Sequence, residues 1–229
     1  MFRNLLAVAF GLLGLSVPAA LGLAATEQPG NPATQLVASP ASKLVLEGSS
    51  NVTDWRCSGV TIDANMAVAA SLERINAVID RVEDGNIGVW MAAADSGSFP
   101  VPEFAMRIPV DALRCGNRQM ERDLGHALHA DEHPSIEFRF TGLRGTVSHD
   151  IDTHHYTATI GGVLSLAGTS RPISVSVVAQ RVSRNRFRLR AELPLRMTDF
   201  RITPPTALFG MVKARDELKV RFDLVLEPR

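Results

Sequence analysis

The sequence predicts an all-β fold with one or two short helices, built on an antiparallel sheet that closes as a barrel or packs as a sandwich. Three observations carry this. Apolar and polar residues alternate with period two in stretch after stretch from residue 43 to residue 224. Each such stretch has one apolar and one wet face, whereas parallel strands buried on both sides read as continuous apolar runs. After the N-terminal region, only 71–83 and 116–133 break the alternation with helical spacing.

Taken in order, KLVLE at 43–47 puts Leu44 and Leu46 on one face. SLERINAVIDRVE at 71–83 places Leu72, Ile75, Ile79 and Val82 at helical spacing, with Ser71 as N-cap and Glu73 in the first turn. The Gly, Ser and Pro residues of 85–102 predict a loop. EFAMRIPV at 103–110 aligns Phe104, Met106, Ile108 and Val110. A helix over 119–131 turns Met120, Leu124, Ala127 and Leu128 toward the sheet, and Pro134 hands the chain into IEFRF, where Ile136, Phe138 and Phe140 align. Along 156–166, Tyr156, Ala158, Ile160, Gly162, Leu164 and Leu166 share a face; along 173–177, Ile173, Val175 and Val177 do. The dense arginines of RVSRNRFRLR read as the wet face of a strand with a turn at 183–185; the alternative is a contact to an acidic partner or lipid head group. In 186–193 Phe187, Leu189, Ala191 and Leu193 point inward, and in 218–224 Leu218, Val220, Phe222 and Leu224 do.

The N-terminus reads differently. Arg3 precedes an apolar run from Leu5 to Leu15, and small residues crowd Val17 to Ala25. This predicts a secretory signal peptide over residues 1–25, cut near Ala24 or Ala25, and hence a periplasmic or secreted protein. The alternative, an uncleaved anchor, needs about 20 apolar residues, and Pro18 interrupts them. No other segment is apolar enough to span a bilayer, so no stable membrane insertion is expected after cleavage. Residues 26–40 are polar and Pro-rich and predict a flexible leader, which leaves 41–229 as one domain.

Charge and motifs exclude several functions. The chain balances 24 basic against 24 acidic residues, which argues against a nucleic-acid binder. It carries no G-x-S-x-G elbow, P-loop or G-x-G-x-x-G, and no catalytic residue or cofactor is predicted. Cys57 and Cys115 are the only cysteines. In an oxidising compartment they predict one disulfide, the alternative being two free thiols. Three of the six histidines, His126, His129 and His133, share one helix face. That face lies opposite the packing stripe, so a solvated surface is the expectation, with a pH-sensitive patch and a histidine-based metal site as rivals. The spacing lacks the H-E-x-x-H of metalloproteases, and no metal is predicted.

The order of several elements resembles a known family. Arg122, Asp123 and Leu124 are followed by Pro134, Ile136 and Phe138; then comes LSLAGTSRPI at 164–173, and near the end Asp199, Phe200, Ile202 and Pro204. Over about residues 40–227 this is similar to the YceI-like family, exported bacterial proteins also called polyisoprenoid-binding. The resemblance implies a lipocalin-like antiparallel β-barrel of about eight strands. Its hydrophobic tunnel would hold an isoprenoid or other amphiphilic lipid, such as the tail of a quinone. An eight-stranded barrel can hold one slender ligand or be filled by its own side chains. The tunnel wall would then come from Phe104, Met106, Ile108, Phe138 and Phe140, with Ile160, Leu164 and Val175 beside them and Phe187, Leu189 and Phe222 completing it. Gly162, Ala158 and Ala191 would leave it space, and the rims 116–133 and 198–212 would shape its mouth, with Phe209 and Met211 as a lip. The rival reading is a partner-binding module with a filled barrel.

Overall fold

The computed structural model describes residues 33–83, 102–150 and 152–229. The expected signal segment, and the expected loop up to residue 101, lie outside them.

The first half of the chain supplies broken strands. β1 (Thr34–Ala38) and β2 (Lys43–Ser50) both pair with the last strand, β12 (Val212–Pro228), and are interrupted at Pro40. Proline has no N–H to give to a ladder. The gap is bridged by one backbone and one side-chain bond: Ser39 N–H donates to the Val225 carbonyl (2.7 Å), and Val225 N–H donates to Ser42 Oγ (3.0 Å). Residues 34–38 were expected in the flexible leader; paired to β12, they belong to the barrel. TQLVA is too short, between Pro32 and Pro40, for its alternation to stand out.

β3 (Asp54–Gly59) and β4 (Asp63–Val68) repeat the arrangement, β3 pairing β2 and β4 pairing β1. β5 (Glu103–Pro109) and β6 (Leu113–Arg114) do so again, separated by a 3-10 turn at Val110–Ala112. The second half is continuous: β7 (Ser135–Asp150), β8 (His155–Leu166), β9 (Thr169–Ser183), β10 (Arg186–Arg196) and β12, with a short β11 (Thr206–Ala207) against β12. Counting each broken pair as one strand, the ring closes as an eight-stranded antiparallel barrel in which each strand neighbours the next in sequence. The pairing of β12 with β1 and β2, with Val220 opposite Leu46, closes it. Closure removes the unpaired edges an open sheet would leave.

Among the described residues, two helices pack on this barrel. α1 (Leu72–Glu83) starts where Arg74 N–H donates to Ser71 Oγ (3.2 Å), and it buries Ile75 and Val82. α2 (Arg118–Ala127) is capped by Asn117, whose Oδ1 accepts from Gln119 N–H (2.8 Å) and Met120 N–H (3.4 Å). Met120, Leu124, Ala127 and Leu128 rest on the barrel core as the stripe predicts. The helix ends at Ala127, short of the expected 131, because His129 takes a left-handed φ of 52°. The N–H of Ala130 then donates to the Gly125 carbonyl (2.9 Å) and that of His129 to the His126 carbonyl (3.1 Å). This is the bonding that usually ends a helix on glycine, so the sequence carried no stop signal there.

Candidate functional site

Alternation turns one face of every strand inward, and the inward faces do not meet everywhere. Among the described residues two apolar chambers stand out, of about 380 and about 330 Å3. The larger lies toward α1, with Ile75, Ile79 and Val82 on its wall. The smaller lies under α2, with Met120, Leu124 and Leu128 on its wall. Leu164 lines both. Between them runs a layer of buried side chains. Met106 stands opposite Phe138 and Phe138 opposite Leu164, while Leu193 stands opposite Val220 and Val220 opposite Leu46.

Of the residues expected to wall a tunnel, Phe104, Met106, Phe138 and Phe140 line the larger chamber. So do Ile160, Leu164 and Val175, and from the far side Phe187, Leu189 and Phe222. Ile108 lines the smaller chamber instead. Ala158 and Ala191 leave open volume in the larger one. Gly162 does not: a Cβ there would stand 2.2 Å from the Phe138 ring, so the glycine makes room for that ring and not for a ligand. Parts of both expected rims, including Asn117, Gln119, Ile202 and Val212, border the smaller chamber. Phe209 and Met211 are exposed, as is Val52 on the neighbouring β2–β3 turn, where Lys213 N–H donates to Asn51 Oδ1 (2.8 Å).

The polar groups gather at the α1 end. Arg181 was expected on a wet strand face, but its side chain is only 15% exposed and lines the larger chamber. It donates to Asp80 Oδ1 (2.5 Å) and to Glu83 Oε2, both on α1, and to Asn76 Oδ1 (3.3 Å). Asn76 in turn donates to the Arg184 carbonyl (2.7 Å), so α1 is fastened to the β9–β10 hairpin. The hydrogen bond from Arg181 holds the Asp80 carboxyl below its ordinary range. Next to this clamp, Tyr156 on β8 stacks on His149 on β7, ring centroids 4.5 Å apart. Burial, with the Glu83 charge adding to it, pushes the Tyr156 phenol up to about 12.

A pH test of the clamp follows. A folded-state pKa below the unfolded value of about 3.9 means that the Asp80 contribution is present above that value and lost as pH falls through the lowered one. Arg181→Met is therefore expected to loosen α1 at pH 7, where two carboxylates lose their partner. The deficit relative to wild type should narrow below about pH 4, as the Asp80 contribution is lost from the wild type too. Amide exchange of residues 72–83 at both pH values reads this directly, and an equal deficit at both would dismiss the clamp.

The three histidines of 126–133 do not converge. His126 and His129 are exposed, while His133 packs against the turn at Gly168, where a Cβ would meet its Nε2 at 2.3 Å. Among the described residues no group of three or more metal-ligating side chains comes together. Cys57 and Cys115 form a disulfide that joins β3 to the start of α2.

With this geometry in hand, comparison with known proteins is informative. No curated protein matches the chain in sequence. Among solved structures, BcnA of Burkholderia cenocepacia superposes with a TM-score of 0.59 at 13% identity, covering 82% of this chain and 98% of that one. A polyisoprenoid binding domain from Saccharophagus degradans, implicated in plant cell wall breakdown, does so with a TM-score of 0.57 at 12% identity, covering 86% and 99%. At such identities the likeness is one of fold. The sequence model of the YceI-like domain matches residues 50–226, most of the barrel, and the chain belongs to the YceI-like domain family.

Proposed function

We propose that this protein is an exported carrier that holds an isoprenoid or other amphiphilic lipid inside its barrel, and that it acts by binding and not by catalysis. The observation that carries this is the larger chamber, an open volume of about 380 Å3 walled by aromatic and aliphatic side chains inside a closed barrel. A filled barrel would leave no such space. Burial of a chain there yields about 0.8 kcal/mol per methylene, which suits an extended hydrocarbon. The polyisoprenoid binding domain from Saccharophagus degradans, similar in fold, supports the ligand class. The Cys57–Cys115 disulfide supports export, since such bonds persist in oxidising compartments; residues 1–25 would supply the signal.

Lipid extraction and mass spectrometry of the purified protein test the reading, together with melting curves in the presence of a prenyl lipid. A co-purifying prenyl lipid is expected. A ligand at a hundred times its Kd should add about 2.7 kcal/mol of stability. A protein that carries no lipid and whose melting temperature ignores added prenyl lipid would refute it.

A further inference from the structure

The carrier reading explains the apolar wall of the larger chamber but not the polar atoms at its α1 end. His149 and Tyr156 are cross-strand partners on β7 and β8, and their rings stack. Both nitrogens of His149 and the hydroxyl of Tyr156 are shielded from solvent and make no hydrogen bond. A buried polar atom left without a partner destabilises the fold. The two nitrogens of His149 therefore need a partner that the described residues do not supply. Glu83 is near enough to act on the Tyr156 phenol, so the imidazole is the group most in need of one from elsewhere. Tyr156 itself lines the chamber, so the missing partner can arrive from inside it.

Resting on the carrier reading, we propose that His149 and Tyr156 form a head-group site that hydrogen-bonds an uncharged, oxygen-bearing head, such as a hydroxyl, while the tail lies in the larger chamber. A neutral imidazole offers one donor and one acceptor, and a phenol offers both as well. This pair is complementary to a group that can give and take a hydrogen bond. The electrostatics select against an anionic head. The buried guanidinium on the chamber wall, Arg181, is neutralised by Asp80 and Glu83. A phosphate would meet those two carboxylates with no free cation gained from Arg181. Arg184 is turned to solvent and shared with Asp80, and Arg190, also on the chamber's border, is exposed, lies beside His155 at 3.4 Å and acts on the Asp223 carboxylate.

Three ligands with one tail separate the possibilities: farnesene, farnesol and farnesyl diphosphate. Each is titrated into delipidated intact protein against the uncharged dye N-phenyl-1-naphthylamine. In wild type, farnesol should bind about tenfold tighter than farnesene, the yield of one net hydrogen bond, and tighter than the diphosphate. Tyr156→Phe keeps the stacked ring and should bring farnesol close to farnesene, leaving farnesene itself unchanged; His149→Leu should do the same. Farnesol affinity untouched in both variants, or a diphosphate that binds tighter than the alcohol, overturns the head-group site while the carrier reading stands. If neither farnesol nor farnesene displaces the dye, the carrier reading itself falls. The ranking of the three ligands in wild type reads the proposal even where a variant is poorly folded.

Discussion

Replacing Ala158 and Ala191 together with phenylalanine is expected to close the larger chamber and to cut lipid affinity by roughly a hundredfold or more. The two alanines lie in one row across neighbouring strands: Ala158 stands opposite Val177, Val177 opposite Ala191, and Ala191 opposite Phe222. All four line the chamber. Three small or short side chains in succession leave the volume that the phenylalanines elsewhere on the wall do not reach. Two added rings would displace the middle of any bound chain. Excluding even four methylenes forfeits about 3 kcal/mol, which is the hundredfold. In a packed core such enlargement costs about 1–3 kcal/mol, but here the rings enter open space, so the folded state should hold or gain stability. Dye displacement and a melting curve on the same variant check both halves. A stable variant that binds prenyl lipid as tightly as wild type would place the ligand elsewhere.

The contrast between that legible wall and the polar α1 end shows what alternation can and cannot reveal. Phe104, Phe138, Ile160 and Phe187 were readable because period two fixes which side chains share a face, whatever the strand pairs with. Arg181 was misread, although the same phase marks it. It stands in phase with Ile173, Val175 and Val177, but in a run of arginines it looked like one more solvated charge. Its partners Asp80 and Glu83 lie 101 and 98 residues away on a helix, a pairing no local pattern states. His149 was out of reach for a different reason. Counting in twos from Phe140 turns residue 149 outward. A register shift between Phe140 and Gly142 reverses the phase, so that Leu143, opposite Ile160, and His149, opposite Tyr156, face inward. A single bulge inverts every assignment beyond it, and the sequence does not mark it. β3 and β4 were missed although Trp55 and Cys57, and Ala64, Met66 and Val68, alternate, because each stretch is only six residues long with few large apolar side chains; β3 is fixed by its neighbours, Trp55 lying over Gly48 where a Cβ would stand 2.2 Å from the indole.

The second large effect concerns the other end of the barrel. Cys57→Ala with Cys115→Ala is expected to lower stability by about 4 kcal/mol, from the chain entropy that a cross-link over 58 residues removes from the unfolded state. That is a large share of the roughly 5–15 kcal/mol by which such domains are stable. Denaturant titration should show a lower midpoint at little-changed slope, and reduction of the wild-type disulfide should reproduce it. The loss should also have an address. Cys57 is fully buried on β3, and Cys115 precedes α2, where its N–H donates to Glu121 Oε1 (2.9 Å). Without the link, α2 keeps its Asn117 cap and its Met120, Leu124 and Leu128 contacts but loses its covalent tie to β3. Amide exchange should therefore quicken first along 118–128. Those side chains border the smaller chamber only, while Ala158, Ala191 and Tyr156 border the larger. At temperatures where the double variant stays folded, prenyl alcohol should bind it as it binds wild type. A parallel loss of affinity would show instead that the two chambers act as one tunnel across the Leu164 layer.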